Sequence, residues 1–282
     1  ERVGINDNFF ELGGDSILSI QITSKSNQIG IYLTPDQLFH YPTIAQLADI
    51  AATEPNVQAE QGVVTGPLPL TPIQHWFFEQ SLLESHHWNQ AFLLRAPHTL
   101  EFSLLEKAIY QLLIHHDALR LRFALENSEW HQMMTSFDEV VPVSRMDLSG
   151  LTKVEQKIAI QSTATELQAS LDLAKGPLIR VALFERGSQE FSYLLIIIHH
   201  LAVDGVSWRI LLEHLEVLYN QLSHNQVIQL PPKTTSYKQW AHQLTEYAQS
   251  DKLQQELPFW LSMQGKRFSP LPVDFPRSID NN

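Results

Sequence analysis

The densest group of side chains able to move protons lies at residues 199–208, which read His-His-Leu-Ala-Val-Asp-Gly-Val-Ser-Trp. An imidazole titrates near neutral pH, so a histidine close to an acid at the end of a strand suits acid–base catalysis. Alternation along a strand directs His199 and His200 to opposite sides, so only one of them can face a given cavity. The alternative is structural: two hydrogen-bonded histidines at a strand end, with Asp204 as a turn or cap residue.

A second candidate is the serine of Gly13-Gly14-Asp15-Ser16, which stands where a helix is expected to begin. As a helix cap, Asp15 or Ser16 needs no further explanation. As a modification site, the Ser16 hydroxyl would carry a phosphodiester, because backbone N–H groups and the helix dipole stabilise a negative phosphate there. These residue types alone leave both interpretations open.

Composition excludes several kinds of chemistry. The 282 residues contain no cysteine, which removes disulfides, thiolate metal sites and cysteine nucleophiles. The 13 histidines form no His-Glu-x-x-His pair, and the adjacent pairs at 86–87, 115–116 and 199–200 cannot both point the same way on a strand, so no metal site is expected. The net charge of −12 argues against nucleic-acid binding.

The composition also bears on location. No apolar run approaches the roughly 20 residues of a membrane span, and no secretory signal is visible. We therefore expect no membrane partner and take a cytoplasmic location as the default. Because the chain begins with Glu1 rather than Met, it is expected to be a segment excised from a longer protein.

The elements that position the histidines follow from hydrophobic periodicity. A near-continuous apolar run at residues 191–198 predicts a strand buried on both faces, which ends at the histidine pair. Apolar residues at helical spacing after Gly205 predict an amphipathic helix packed back on the sheet. The start of that helix could stabilise negative charge developing on a substrate.

Other local patterns predict further elements. Capping boxes predict helices that start after Ser103 and after Thr152. Residues 119–123 read as a strand with both of its arginines on one face. Three aromatic residues near the C-terminus are most simply explained as core. They are Trp240, Phe259 and Trp260.

Three segments differ in composition and pattern. Residues 1–53 predict a small helical unit, and residues 54–67 lose periodicity and gain Pro, Gly and Gln, which indicates a linker. Residues 68–282 alternate helices and strands, which indicates an α/β unit.

The string around Ser16 resembles the carrier-protein motif of nonribosomal peptide synthetases, in which the serine after Gly-Gly-Asp or Gly-Gly-His bears 4′-phosphopantetheine. The resemblance covers residues 3–53 and includes Tyr41-Pro-Thr-Ile44. It implies that Ser16 carries 4′-phosphopantetheine, attached by a phosphopantetheinyl transferase. A full carrier has a further helix ahead of this motif, so residues 1–53 are expected to be a partial carrier domain.

Three further motifs, at residues 69–77, 115–123 and 199–208, resemble the condensation-domain superfamily of the same synthetases and occur in its order. Ile73-Gln-His-Trp-Phe77 and Ser207-Trp208 are similar to its epimerization branch. The resemblance implies a partial helical carrier followed by a chloramphenicol-acetyltransferase-like α/β lobe, a mixed sheet covered by helices. The implied reaction is L-to-D epimerization of a carrier-bound aminoacyl or peptidyl thioester, without metal or nicotinamide.

The resemblance also assigns residues. It implies that His200 is catalytic and that the opposing acid–base group is a glutamate of a second lobe, expected beyond Asn282. The 282-residue segment is therefore expected to be incomplete for catalysis. Asp204 is expected to form a buried salt bridge within the fold, with Arg120 as its partner. The residues implied to be structural are His199, Asp204, Gly205 and Arg120.

Two other functions remain open at this point. In a condensation domain, the same histidine would assist amide formation between two carrier-bound substrates. A non-catalytic module would only dock the carrier. The expected neighbours in the synthetase are an adenylation domain upstream and a condensation domain downstream.

Overall fold

The computed structural model describes residues 3–52, 59–136, 140–264 and residue 272. The chain divides into two compact units, Glu1–His242 and Gln243–Asn282. Among the described residues, no helix has both the length and the apolar character that crossing a membrane requires.

The helices of the described residues are distributed along the whole chain. They are α1 (Ser16–Gln28), α2 (Pro35–His40), α3 (Ile44–Ile50), α4 (Pro72–Glu79), α5 (Phe102–His115), α6 (Lys153–Ala169), α7 (Ser207–Ser223), α8 (Tyr237–Ala248), α9 (Asp251–Gln254) and α10 (Leu257–Leu261). Short 3₁₀ turns occupy Ser85–His87 and Asp117–Arg120.

The strands form two sheets. They are β1 (Gly66–Leu68), β2 (Asn89–Ala96), β3 (Leu121–Glu126), β4 (Glu129–Met134), β5 (Val143–Asp147), β6 (Ile179–Glu185) and β7 (Ser192–His199). The smaller sheet has the order β1-β4-β3 and is antiparallel. The larger has the order β2-β7-β6-β5, with β5 and β6 parallel and the other pairs antiparallel. The expected mixed α/β fold is confirmed.

The central strand β7 is buried on both faces, as its apolar run predicts. Leu194, Ile196 and Ile198 pack in one core cluster with α5 and α7. Leu195 and Ile197 alternate with them and pack in a second cluster with residues of α6. The strand therefore delivers its last residues to a fixed place between two helical layers.

Of the two predicted capping boxes, one is confirmed and one is wrong. Thr152 caps α6, with Glu155 completing the reciprocal box. Ser103 does not cap α5, because that helix begins at Phe102 and the N-cap position belongs to Glu101. The Glu101 backbone N–H donates to the Tyr219 hydroxyl at 2.8 Å, so a tertiary contact fixes this helix start.

The linker predicted over residues 54–67 extends too far toward the C-terminus. Part of it, residues 54–58, lies outside the described residues. The Gln61 side chain accepts a hydrogen bond from the Lys233 backbone N–H at 2.8 Å and donates one to the Lys233 carbonyl at 3.0 Å. Val64 is buried, and β1 begins at Gly66. Residues 61–67 are therefore held against the α/β fold.

Two further expectations are wrong. Arg120 does not share a strand face with Arg122, because the chain forms a 3₁₀ turn through Arg120 and β3 begins only at Leu121. The three C-terminal aromatic residues are about half exposed within the described residues. The buried residue of α8 is Ala241, and successive helical positions point about 100° apart, which turns Trp240 away from that side.

Candidate functional site

The two histidines at the end of β7 have opposite environments, as alternation predicts. His199 is fully buried, and its Nε2–H donates to the Ser85 carbonyl at 2.9 Å. Its Nδ1 accepts from the Leu201 backbone N–H at 3.1 Å, and its ring meets Phe77 edge-on at 5.9 Å. Burial lowers the pKa of His199 to about 4, despite the opposing effect of the Ser85 hydrogen bond. His199 is therefore neutral at pH 7, and both of its ring nitrogens are hydrogen-bonded.

His200 is the exposed member of the pair. Its backbone N–H donates to the Trp88 carbonyl at 2.8 Å, and its Nδ1–H donates to the Val203 carbonyl at 2.8 Å. Because a carbonyl only accepts, the Nδ1 contact fixes the proton on Nδ1 and leaves the lone pair on Nε2. The loop after β7 therefore presents one basic nitrogen outward.

Gln90 orients that nitrogen and was missed by the sequence analysis. Its amide Nε2 lies 3.1 Å from Nε2 of His200, and its amide oxygen accepts from the indole N–H of Trp208 at 2.7 Å. The indole is a donor only, so it determines which end of the amide faces the histidine. Gln90 lies on β2, which pairs with β7. In the sequence it is one polar residue near the start of a strand, and no motif distinguishes it from its neighbours.

Asp204 caps α7 rather than pairing with Arg120. Its carboxylate accepts from the Val206 N–H at 3.0 Å, the Ser207 N–H at 2.7 Å and the Ser207 hydroxyl at 2.7 Å. Burial alone would raise the pKa of Asp204, but these hydrogen bonds and nearby His200 outweigh it and lower the pKa. The expected buried salt bridge is wrong, because Asp204 is exposed and is occupied by its own loop.

The start of α7 has little capacity left to stabilise negative charge. The Ser207 N–H and the Val206 N–H just before the helix donate to the Asp204 carboxylate, and the Trp208 N–H donates to the Asp204 carbonyl at 3.1 Å. The expectation that the helix start acts on a substrate is not supported, because these N–H groups already have acceptors.

Gly205 shows no steric need for glycine. Among the described residues, nothing lies within 4 Å of the position where its Cβ would stand, and its φ lies outside the left-handed region. The expected structural role of Gly205 is not supported by its own backbone. A Cβ at this position would extend into open space next to the loop that carries His200.

Arg120 is buried and has a different partner. Its Nη2 donates to the Asp117 carboxylate at 2.5 Å, and both side chains are buried. Asp117 also accepts from Lys233 Nζ at 3.2 Å. The remaining N–H groups of Arg120 donate to backbone carbonyls of Val64, Leu113, Ile114 and Thr135. The nearest acid in sequence, not Asp204, neutralises this arginine.

Ser16 is exposed at the first position of α1. Asp15 is the N-cap and accepts from the N–H groups of Ile17 and Leu18 at 2.9 and 2.8 Å. These N–H groups are thus not available to a phosphate, contrary to expectation. An exposed hydroxyl at a helix start still fits covalent attachment of 4′-phosphopantetheine, because the Ser16 side chain is accessible.

Three other histidines, which are not part of the His199–His200 motif, lie close together. His115 ends α5, His116 follows it, and both rings lie against His214 of α7. The expectation that His115 and His116 point in opposite directions is wrong, because this pair lies at the end of a helix and not on a strand.

Comparison with known families divides the chain into two matches. The phosphopantetheine attachment site matches residues 1–51, and the condensation domain matches residues 64–282. One protein of the linear gramicidin synthase of Brevibacillus parabrevis is 51% identical over 284 residues, which covers 100% of this chain and 6% of that protein. Tyrocidine synthase 2 of the same organism is 42% identical over 277 residues, 98% of this chain and 8% of that protein. The chain spans less than a tenth of the length of these relatives.

Solved structures give the same result for the fold. The epimerization domain from the third module of tyrocidine synthetase B is 40% identical with a TM-score of 0.71, over 79% of this chain and 49% of that one. A variant of the starter condensation domain of rhizomide synthetase is 20% identical with a TM-score of 0.62, over 73% and 49%, a likeness of fold alone. The chain belongs to the condensation-domain family of nonribosomal peptide synthetases and carries a phosphopantetheine attachment site at its N-terminal end.

Proposed function

We propose that this chain is the carrier and epimerization segment of a synthetase module. Residues 1–53 would present an aminoacyl or peptidyl thioester, and the unit after them would convert its α-carbon from L to D. The observation that carries the proposal is the exposed His200, whose Nε2 lone pair is fixed by hydrogen bonds on both ring nitrogens. The 40% identity to an epimerization domain supports this reaction over amide formation.

His200 would exchange the proton of the α-carbon. Inversion requires removal of a weakly acidic C–H proton and return of a proton to the opposite face. A neutral imidazole with its lone pair on Nε2 can accept that proton from one face, and a second acid–base group on the other side of the substrate would supply a proton to the opposite face. The bond from Nδ1 to the Val203 carbonyl persists in both protonation states, so it holds the ring in one orientation throughout.

Gln90 would act as a positioning residue for His200. With its oxygen held by Trp208, the amide donates its N–H to the Nε2 lone pair of His200 and so orients the imidazole. This hydrogen bond would break when Nε2 accepts the α-proton. Trp208 is itself buried and packs edge-on against Phe92 at 4.7 Å. The orientation of the base is thus anchored in the core.

The other residues of the motif would support the site indirectly. His199 would fix the end of β7, and Asp204 would fix the start of α7. Arg120 would connect the end of α5 with residue 64. We infer that Gly205 leaves room for the carrier arm, because a Cβ there would extend into open space.

Ser16 would be the attachment residue of 4′-phosphopantetheine. When bound, that group supplies a long flexible arm that ends in a thiol, which carries the substrate as a thioester. The chain itself contributes an exposed hydroxyl at a helix start and, since it has no cysteine, no competing thiol. The proposed partners are a phosphopantetheinyl transferase, an upstream adenylation domain and a downstream condensation domain.

The test is α-proton exchange in the complete synthetase module. Deuterium incorporation at the α-carbon of the loaded thioester and the D/L ratio after hydrolysis are measured in wild type and in His200→Ala and His199→Ala variants. We expect His200→Ala to reduce exchange about 10²–10⁴-fold, the usual contribution of a positioned acid–base group, with carrier loading unchanged. His199→Ala should reduce stability more than exchange per folded molecule.

Each alternative function has its own outcome. Unchanged exchange in a folded His200→Ala module would refute the assignment of this residue. Absence of exchange in wild type together with a new amide product would identify a condensation domain. Absence of both activities in a loaded, folded module would identify a docking module.

A further inference from the structure

Three histidines, two at the end of α5 and one in α7, converge at a place that the proposed reaction does not use. His115 ends α5, His116 follows it, and His214 lies in the middle of α7. One ring nitrogen of each lies within 4.8 Å of the other two. His116 Nε2 and His214 Nδ1 are 2.9 Å apart, and the ring centroids of the three pairs are separated by 5.0–5.3 Å. Each of the three side chains therefore directs one ring nitrogen toward a common point.

Burial keeps these rings neutral. Desolvation, reinforced by His214 and Lys233, lowers the pKa of His115 to about 4. Desolvation, reinforced by both neighbouring rings, holds the pKa of His116 well below 6.5. The pKa of His214 is also lowered by desolvation. A neutral imidazole is the form that binds metal. Because His116 Nε2 and His214 Nδ1 are hydrogen-bonded, the proton between them would move to another ring nitrogen when both coordinate the metal.

We propose that His115, His116 and His214 bind one divalent transition-metal ion of the zinc type. Imidazole is a preferred ligand of Zn²⁺, Cu²⁺ and Ni²⁺. Zn–N bonds of about 2.0–2.1 Å in a tetrahedral site place the ligand nitrogens about 3.3 Å apart. Binding would therefore separate His116 from His214 by a few tenths of an ångström and draw the third ring inward.

The fourth coordination position can be filled by water. His115 lines a cavity of about 260 Å³ together with Gln61, Gln111 and Lys233. Three histidines and one open position form a known arrangement for zinc. Solvent can therefore reach the metal centre from the side of His115.

The surrounding charges do not exclude a cation. The Lys233 ammonium opposes one, and Asp117, which holds it at 3.2 Å, offsets that charge only in part because the same carboxylate pairs with Arg120. The Asp117 carboxylate also raises the pKa of His115 against the larger lowering effects, and Glu213 acts on His214 in the same direction. Both acids would favour a metal ion as they favour a proton.

A bound metal would link the end of α5 to the middle of α7. The start of α7 follows the His200 loop directly, so the link would stabilise a helix that supports the proposed active site. Metal that binds only the folded chain adds its binding free energy to folding. The inference does not depend on the proposed epimerization.

The test uses the full chain without a histidine tag, first stripped with a chelator and then dialysed against ZnCl₂ or CoCl₂. We expect one equivalent of zinc by elemental analysis, the intense visible spectrum of tetrahedral Co²⁺, and a Tm that rises with zinc. His214→Asn and His115→Gln should weaken binding by more than the roughly 10–100-fold that loss of an outer-shell partner costs. His224→Ala removes an exposed histidine just after α7 and should leave binding unchanged.

The variants are chosen so that folding and binding can be separated. Asn at position 214 can still hydrogen-bond His116, and His115 is only partly buried, so His115→Gln decides the matter if the first variant unfolds. Cooperative melting without metal serves as the fold check. Equal zinc binding by folded His115→Gln and wild type, or an octahedral Co²⁺ spectrum with no rise in Tm, would overturn the proposal.

Discussion

The amide nitrogen of Gln90 lies 3.1 Å from Nε2 of His200, so a residue of β2 holds the basic nitrogen that follows β7. The same amide accepts from Trp208 of α7 at 2.7 Å. One side chain therefore joins three elements at the point where the proposed proton transfer occurs.

Replacing Gln90 tests its positioning role through the pH profile. In Gln90→Glu, a carboxylate beside His200 should stabilise the imidazolium, so the acid limb of the exchange rate should move to higher pH. Gln90→Met, similar in size but without the hydrogen bonds, should lower the rate without that displacement. The measurement is deuterium exchange of the loaded thioester as a function of pH. A wild-type exchange rate in folded Gln90→Met would contradict the positioning role.

Asp117 and Asp204 should differ sharply in their effect on stability. Asp117→Asn leaves the buried Arg120 and the nearby Lys233 without their shared anion, which should cost on the order of 3–5 kcal/mol. Asp204→Asn removes only an exposed cap charge and should cost about 1 kcal/mol or less. Urea unfolding of both variants measures the difference. A larger loss in Asp204→Asn would contradict the observed pairing.

His199 should make folding sensitive to mild acid. Its pKa is about 4 in the fold against 6.5 ordinarily, so the unfolded chain binds the proton more readily. Its stabilisation is complete above about pH 6.5 and is lost as the pH falls toward 4, on the order of 3 kcal/mol in total. His199→Gln, which does not titrate, should show a shallower decline in unfolding free energy over that range. Parallel curves for variant and wild type would rule out this origin.

Replacement by alanine should reduce stability at Gly176 but not at Gly205. Gly176 has φ +74°, and a Cβ there would stand 2.1 Å from the Arg122 guanidinium carbon, so Gly176→Ala should cost at least about 1–2 kcal/mol. Gly205→Ala should melt like wild type, because nothing described lies within 4 Å of its Cβ position. If Gly205→Ala folds but slows exchange, the glycine serves access of the substrate. Thermal melting and exchange together separate the two effects.

Modification should be confined to Ser16. With coenzyme A and a phosphopantetheinyl transferase, the intact mass should rise by the mass of one 4′-phosphopantetheine group, and Ser16→Ala should abolish the increase. Ser24→Ala, an exposed serine of the same helix, serves as the matched control. A mass increase that persists in Ser16→Ala would place the attachment site elsewhere.

The sequence predicted features that depend on local pattern. The strand before the histidines, the opposite environments of His199 and His200, and the capped start of α6 all follow from periodicity and capping within a few residues. It failed where partners come from distant elements. Spacing along the chain did not reveal that Asp117 would neutralise Arg120, or that Gln90 would face His200. The convergence of His115, His116 and His214 likewise depends on how α5 packs on α7.

The contacts of residues 61–64 set a limit on the distance between the two matched regions of the chain. Gln61 is paired with Lys233, and Val64 donates to Asp117, so both residues are fixed to the α/β fold. Nine peptide steps join Ala52, which is bridged to Tyr32, to Gln61, so these two residues can be at most about 30 Å apart. Under the proposed function, that limit would set the effective concentration of the thioester at His200 independently of the chemistry there.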